Sequence, residues 1–267
     1  MNDSPLISIV MGIYNCEQTL RDAVQCIIEQ TYHNWELIMC DDASMDNTYK
    51  IACELTETDS RIKLLRNEKN LTLAPTLNRC LSVAKGNYIA RMDGDDLCPK
   101  NRLEKEVAFL EQNSQYALVS CQMELFDSAG SYRTITHKAE PTGRDLVFRS
   151  QFCHAGCVMR KDVLIALGGY NTGEKTKRVE DYDLWVRMYA AGYKGFNLQE
   201  PLYYMRDDRN AICRRSFRNR VNEAAVKWRV CKYFKLSLPY YAYTMVPLLK
   251  LIVPAPIYRV AHRRKET

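Results

Sequence analysis

Three carboxylates fall within four residues at Asp93-Gly-Asp-Asp96. Such a cluster repels itself unless a cation, a guanidinium or an ammonium sits among the groups. A hard divalent ion, Mg2+ or Mn2+, held by one or two of these carboxylates and by substrate phosphates, satisfies that charge. The plainer reading is a solvated acidic turn in which Asp96 caps a helix. A second acidic pair, Asp41-Asp42, closes another apolar run, and Glu180, Asp181 and Asp183 open a stretch of helical character. Acids in a first helical turn complement the helix dipole, and for Asp183 that role suffices. No Ser/His/Asp or Cys/His set suggests a covalent nucleophile. The histidines (His33, His137, His154, His262) are too scattered for a zinc site.

The elements that carry these groups follow from periodicity. Leu6 to Met11, Glu36 to Cys40, Ile62 to Leu65 and Tyr88 to Met92 are short, apolar and rich in branched residues, as buried strands are. The first ends in the turn Gly12-Ile-Tyr-Asn15. Helical spacing separates them: Leu20, Val24, Ile27 and Ile28; Ile51 and Leu55 behind Asp46 and Asn47; Leu77, Leu81 and Ala84 after Pro75. Alternating strands and helices imply a parallel sheet, with ligands bound at the carboxyl ends of its strands, where Asp41-Asp42 and Asp93 to Asp96 emerge. Beyond lie a helix over Arg102 to Gln112, strands over Tyr116 to Phe126 and Tyr132 to His137 around Ser128-Ala-Gly130, and short helices near Arg144 to Phe148 and Lys161 to Leu167. Gly168-Gly-Tyr170 is a break, Asn171 to Lys177 a mobile loop, and Glu180 to Tyr189 a helix.

Composition bounds the class. At 267 residues, 46% hydrophobic and 26% charged, this is an ordinary globular chain. Eleven cysteines, scattered without a C-x2-C pair, indicate reduced core thiols in a cytosolic protein, as at Cys26, Cys40, Cys80 and Cys121. Met1 to Pro5 shows no leader pattern. Charge is uneven: from Arg206 onward fifteen Lys and Arg stand against four Asp and Glu, +11, which leaves −5 of the total +6 on residues 1–205. A basic tail on an acidic body points to an anionic partner. Leu236 to Tyr258 holds one charge, Lys250, with Pro239, Pro247, Pro254 and Pro256, which argue against a straight spanning helix. With Tyr240, Tyr241, Tyr243 and Tyr258 and the basic end Arg259 to Lys265, it reads as an interfacial attachment to the cytoplasmic membrane face. The alternative is a segment packed on the body or on a second subunit. Without an RNA-binding or helix-turn-helix signal, no nucleic acid partner is expected.

A dinucleotide fold would carry G-x-G-x-x-G at the first turn, but this chain has Gly12-Ile-Tyr-Asn-Cys-Glu17. A haloacid-type phosphatase would place its aspartates after the first strand. The motifs taken together resemble the family 2 glycosyltransferases of the bacterial cell-surface polysaccharide type, with the GT-A fold. They are Ile7 to Asn15, Glu29 to Tyr32 with Trp35 to Ile38, Asp41 to Ser44 with Asp46, Asn67 to Asn70, Gly86 to Asp96, Gly168 to Tyr170 and Glu180 to Trp185, in that order. The resemblance covers about residues 5–210 and implies a Rossmann-like, mostly parallel sheet flanked by helices. It implies a domain over 1–210, with a nucleotide-binding half to about 115, a less regular acceptor-side half over 116–210 and a helical, basic extension over 211–267.

The resemblance also implies roles. Asp42 matches the uracil-contacting aspartate, with Tyr14 and Gly12 beside the nucleotide, Asp93 near the ribose or diphosphate, and Asp95 as metal ligand for Mg2+ or Mn2+. Asp181 matches the general base and Glu180 its neighbour, while Asp41, Asp96, His154 and Arg206 support the site. The family commonly has glycine two residues after Asn70, where this chain has Thr72. The implied activity is inverting transfer from a UDP-sugar to a glycan or lipid-linked oligosaccharide, by a protein peripheral at the inner membrane. Alternatives are a polyprenyl-phosphate sugar transferase and a non-catalytic membrane or nucleic-acid adaptor on a decayed fold.

Overall fold

The computed structural model describes residues 4–207 and 217–251. The membrane reading of Pro254, Pro256, Tyr258 and Arg259 to Lys265, and the boundary at 210/211, lie outside the described residues. One mixed sheet organises the chain. Strands β1 (Ile7–Ile13), β2 (Trp35–Asp41), β3 (Ile62–Arg66) and β4 (Tyr88–Arg91) run parallel in the order β3-β2-β1-β4. Between them lie helices α1 (Leu20–Ile28), α2 (Thr48–Thr58) and α3 (Leu73–Val83). Strand β1 extends past the expected turn and takes Gly12 into its ladder opposite Cys40. A Cβ on Gly12 would come within 3.1 Å of Leu73 and 3.3 Å of Thr76, so glycine there makes room for α3.

Both faces of this half are buried, as a parallel sheet requires. Ile7, Ile9, Met11 and Ile13 join one core cluster with Leu20, Val24 and Leu55, while Val10, Ile38 and Cys40 join the other with Leu77 and Cys80. The period of two along the strands divides their side chains between these layers. Cys40, Cys80 and Cys121 are buried and Cys26 half-buried, all as free thiols.

The second half turns antiparallel. After α4 (Arg102–Gln112), β5 (Leu118–Asp127) pairs with β6 (Gly130–Ile135), and β7 (Val158–Arg160) wedges between β4 and β5. Strand β8 (Gly195–Arg206) runs parallel to β5. Its pattern is not legible in the sequence because Pro201 interrupts it. Pro201 sits opposite Gln122, where the register shifts on both sides, so the missing N–H falls at an irregularity in the ladder.

Helices α5 (Lys161–Ala166), α6 (Glu180–Ala190) and α7 (Phe217–Tyr233) cover the second cluster, and α8 (Leu238–Leu249) packs on α7. Residues 171–178 form a pinned loop rather than a free tether. Glu174–Thr176 makes a 3-10 turn, and buried Thr176 donates to the carbonyls of Asn171 and Gly173. Asp183 is fully buried and ion-pairs with Arg187 at 2.8 Å and Arg229 at 2.5 Å. Its structural role is thus to lock α6 to α7, beyond complementing a dipole. Asp183→Ala should lower unfolding free energy by about 2–3 kcal/mol in a denaturant titration, because two cations lose their shared partner.

Candidate active site

The carboxyl ends of β1, β2 and β4 open on a cleft of two lobes that share Gly12 and Tyr14. One, about 690 Å3, is lined by Asp42, Asn70 to Thr76, the 171–178 loop and Glu180. The other, about 890 Å3, is lined by Asn15 to Thr19, Asp46, Asp93 to Asp96 and Met205 to Asp207. Asp42 and Glu180 therefore line one lobe and Asp95 the other, and the lobes meet at Gly12 and Tyr14. Asp181 lines neither lobe. It lies beside Glu180, half-buried, with an oxygen 3.5 Å from Ser150 Oγ.

The acidic triad divides its labour. Oxygens of Asp93, Asp95 and Asp96 all lie within 4.8 Å of one another, a hard-donor set that fits a divalent cation. Asp96 is buried and committed to the protein. It accepts from Tyr203 Oη at 2.8 Å and from the Arg206 N–H at 2.8 Å. Burial, then the charges of Asp93 and Asp95, push its pKa up to about 8. Asp93 pairs with Arg91. Asp95 is exposed and makes no side-chain hydrogen bond or ion pair among the described residues, yet close-packed protein around it, then Asp93, raises its carboxyl above the usual range. Of the triad, Asp95 alone thus presents an uncommitted carboxylate to the opening. Gly94 is needed for space, since a Cβ there would meet Ile13 at 3.0 Å and the Cys16 sulfur at 3.1 Å.

Asp42 is buried at the base of the other lobe. It accepts from Asn67 Nδ2 at 2.7 Å and from the N–H groups of Leu71 at 2.7 Å and Thr72 at 2.9 Å. It therefore holds the 70–72 loop as well as facing the cavity. Thr72, where the family commonly has glycine, adopts φ 73°, ψ 173°, a region almost reserved for glycine. Asp41 is fully buried, paired with Arg66 at 3.3 Å and capping Ser44, which places it behind the site. Tyr14 is 43% exposed at the junction of the lobes, an aromatic face open to a ligand.

His154 lies behind the cleft. Its Nε2 is 2.9 Å from Tyr170 Oη, and burial, then Arg91, hold its pKa well below the usual value, so the ring is neutral. Arg206 donates through Nε to the Asp95 carbonyl at 3.0 Å and braces the triad loop. Desolvation raises the pKa of both Glu180 and Asp181, and at Glu180 the charge of Asp181 adds to it. A carboxylate so raised is a better proton acceptor than a solvated one.

Sequence reasoning missed Arg91 and Tyr203. Arg91, in the apolar run of β4, is 4% exposed, and buried arginine is rare unless paired. An arginine inside a four-residue buried strand was the available signal. Tyr203 carried none, since its strand was not recognised. Its hydroxyl accepts the Asp93 N–H at 3.2 Å while donating to Asp96.

Two comparisons with known proteins, a family profile and a sequence relative, point to one family. The profile described as "Glycosyl transferase family 2" matches residues 8–168. The chain is 43% identical over 266 residues, 99% of its length and 96% of the relative's, to "Putative glycosyltransferase EpsE" of Bacillus subtilis. It is 27% identical to the UDP-Glc:alpha-D-GlcNAc-diphosphoundecaprenol beta-1,3-glucosyltransferase WfaP of Escherichia coli, over 83% of this chain and 85% of that one. Its fold is similar to that of the mannosyltransferase PcManGT of Pyrobaculum calidifontis in complex with GDP-Man and Mn2+, with a TM-score of 0.65, 18% identity, and coverage of 99% of this chain and 80% of that one. The architecture is GT-A.

Adjacent acids should separate under mutation. Asp96→Ala should lower the melting temperature, since it strips acceptors from Tyr203 and Arg206, whereas Asp95→Ala should melt like the parent. Equal melting of the two variants would contradict this division.

Proposed function

The chain belongs to glycosyl transferase family 2, and from that premise we propose that it transfers a sugar from a UDP-sugar, with inversion, to a glycan or lipid-linked oligosaccharide in cell-surface polysaccharide synthesis. The observation that carries this reading is the two-lobed cleft, in which Asp42, Asp95 and Glu180 face one space joined at Gly12 and Tyr14. The relative WfaP is named for a UDP-glucose donor and a diphosphoundecaprenol-linked acceptor, which favours that donor and acceptor class.

The nucleoside occupies the Asp42 lobe, against Tyr14, with Gly12 admitting close approach. Asp95, supported by Asp93, would hold Mg2+ or Mn2+, which when bound supplies positive charge to the departing diphosphate. Arg206, through the Asp95 carbonyl, and Tyr203, through the Asp93 N–H, hold the loop that carries Asp95 in place. Asp181, whose pKa desolvation raises, takes the proton from an acceptor hydroxyl that reaches it past Glu180 on the lobe wall. Attack from the base side and departure on the Asp95 side require no covalent nucleophile.

Hydrolysis or transfer from one UDP-sugar should stop with EDTA and return with Mn2+ or Mg2+, and a screen across UDP-, GDP- and dTDP-sugars identifies the donor. Asp95→Ala should lose metal-dependent UDP binding. Asp181→Asn should bind UDP normally but lower kcat at least about a hundredfold. Because the folded pKa of Asp181 is raised, activity should fall as pH drops through a value above that of a free aspartate. A pH profile with no acidic limb there removes Asp181 as base.

We also assign the carboxyl-terminal helices to peripheral attachment at the cytoplasmic membrane face. Among the described residues no helix is long and apolar enough to cross a membrane. Leu238, Met245 and Leu249 form an exposed stripe along α8, at seven- and four-residue spacing, ahead of the basic tail. Replacing all three with glutamate should abolish flotation with phosphatidylglycerol vesicles; undiminished flotation rejects the attachment.

A further inference from the structure

The lobe that Asp42 lines also holds cations that the chemistry above does not use. Lys177 and Arg178 line the lobe, both exposed, and neither side chain has a hydrogen bond or ion pair among the described residues. The acid of their own loop is withdrawn from them: Glu174 pairs with Arg218 of α7 at 2.7 Å. The same helix fixes the backbone beneath. Asn222, 5% exposed, donates from Nδ2 to the carbonyls of Glu174 at 3.0 Å and Lys177 at 3.1 Å. Arg178 is held at φ 67°, unusual for a residue with a side chain. Two residues on, α6 begins with Glu180 and Asp181.

These two cations on a braced loop make no ion pair among the described residues, though the charge of Arg178 acts on Glu180, and their free donors suit an anionic ligand. The donor diphosphate belongs with Asp95 in the other lobe. The loop instead leads into the candidate base, on the side from which an acceptor hydroxyl must come. We propose that Lys177 and Arg178 form a subsite for a phosphate or diphosphate ester on the acceptor, positioned from α7 by Asn222. The inference rests on the donor and base assignments proposed above and gives the phosphate of the lipid-linked acceptor favoured there a binding place on this chain.

The test is calorimetric titration of the full chain with phenyl phosphate, in the presence of Mg2+ and saturating UDP. The unaltered protein should bind it, and Lys177→Gln/Arg178→Gln should weaken that binding about tenfold or more without changing UDP affinity. Lys177→Arg, which keeps the charge, should retain it. Asn222→Ala, with its melting temperature measured alongside, should weaken phenyl phosphate and spare UDP. Unchanged phenyl phosphate binding in the double variant overturns the subsite. A double variant that loses affinity for UDP but not for uridine assigns the cations to the donor diphosphate and overturns the acceptor assignment. Failure of the unaltered protein to bind UDP would sink the nucleotide reading separately, because phenyl phosphate titrated alone still reports on the cations.

Discussion

A single buried cation makes this cleft possible. Arg91 reaches from β4 into a space where it pairs with Asp93, and its charge opposes the desolvation of Asp95, Glu180 and Asp181. Burial disfavours its own charge, but the acids around it hold the guanidinium ionised. Without it, these acids would sit in low dielectric with mutual repulsion and would take up protons to relieve it. The same charge disfavours protonation of His154, which leaves that ring to pack and hydrogen-bond as a neutral group. One Arg91 nitrogen, Nε, is buried without a partner, a cost the site accepts to keep the charge where the acids converge.

The triad loop depends on a strand that arrives more than a hundred residues later. Leu97 and Tyr204 exchange backbone hydrogen bonds at 2.9 and 2.8 Å, while Tyr203 and Arg206 bind Asp96 and brace Asp93 and Asp95. Asp96 therefore ties the loop to the sheet and leaves Asp95 exposed and uncommitted. Adjacent identical residues differ in role because one is aimed at β8 and the other at the opening.

The rim of the cleft stores conformational strain. Asn15, Ala43, Thr72 and Arg178 all have positive φ, and three of them line a lobe. Such residues cost about 1–3 kcal/mol each where no glycine is present. At Thr72 the cost is offset in part by Asp42, whose carboxylate takes the Leu71 and Thr72 N–H groups. Asp42 thus shapes its own lobe while remaining part of its lining.

The sequence by itself determined the parallel half of the sheet, because there period and burial coincide: β1 to β4 and their helices are local patterns that bury their own apolar faces. It also marked Asp42, Asp93 to Asp96 and Glu180-Asp181, since acids at strand and helix ends are conspicuous by type and position. Tertiary structure alone decided which acid is free. The commitment of Asp96 to Tyr203 and the pinning of residues 171–178 by Asn222 join groups far apart in the chain, and the neutralisation of Asp93 by its near neighbour Arg91 depends on the burial of that arginine beneath the cleft. Strand β8 escaped notice because Pro201 breaks the alternation that would reveal it, and the bulge that accommodates the proline exists only in the pairing with β5. Periodicity reports what a segment buries, whereas the partner of a buried charge is set by how distant segments meet.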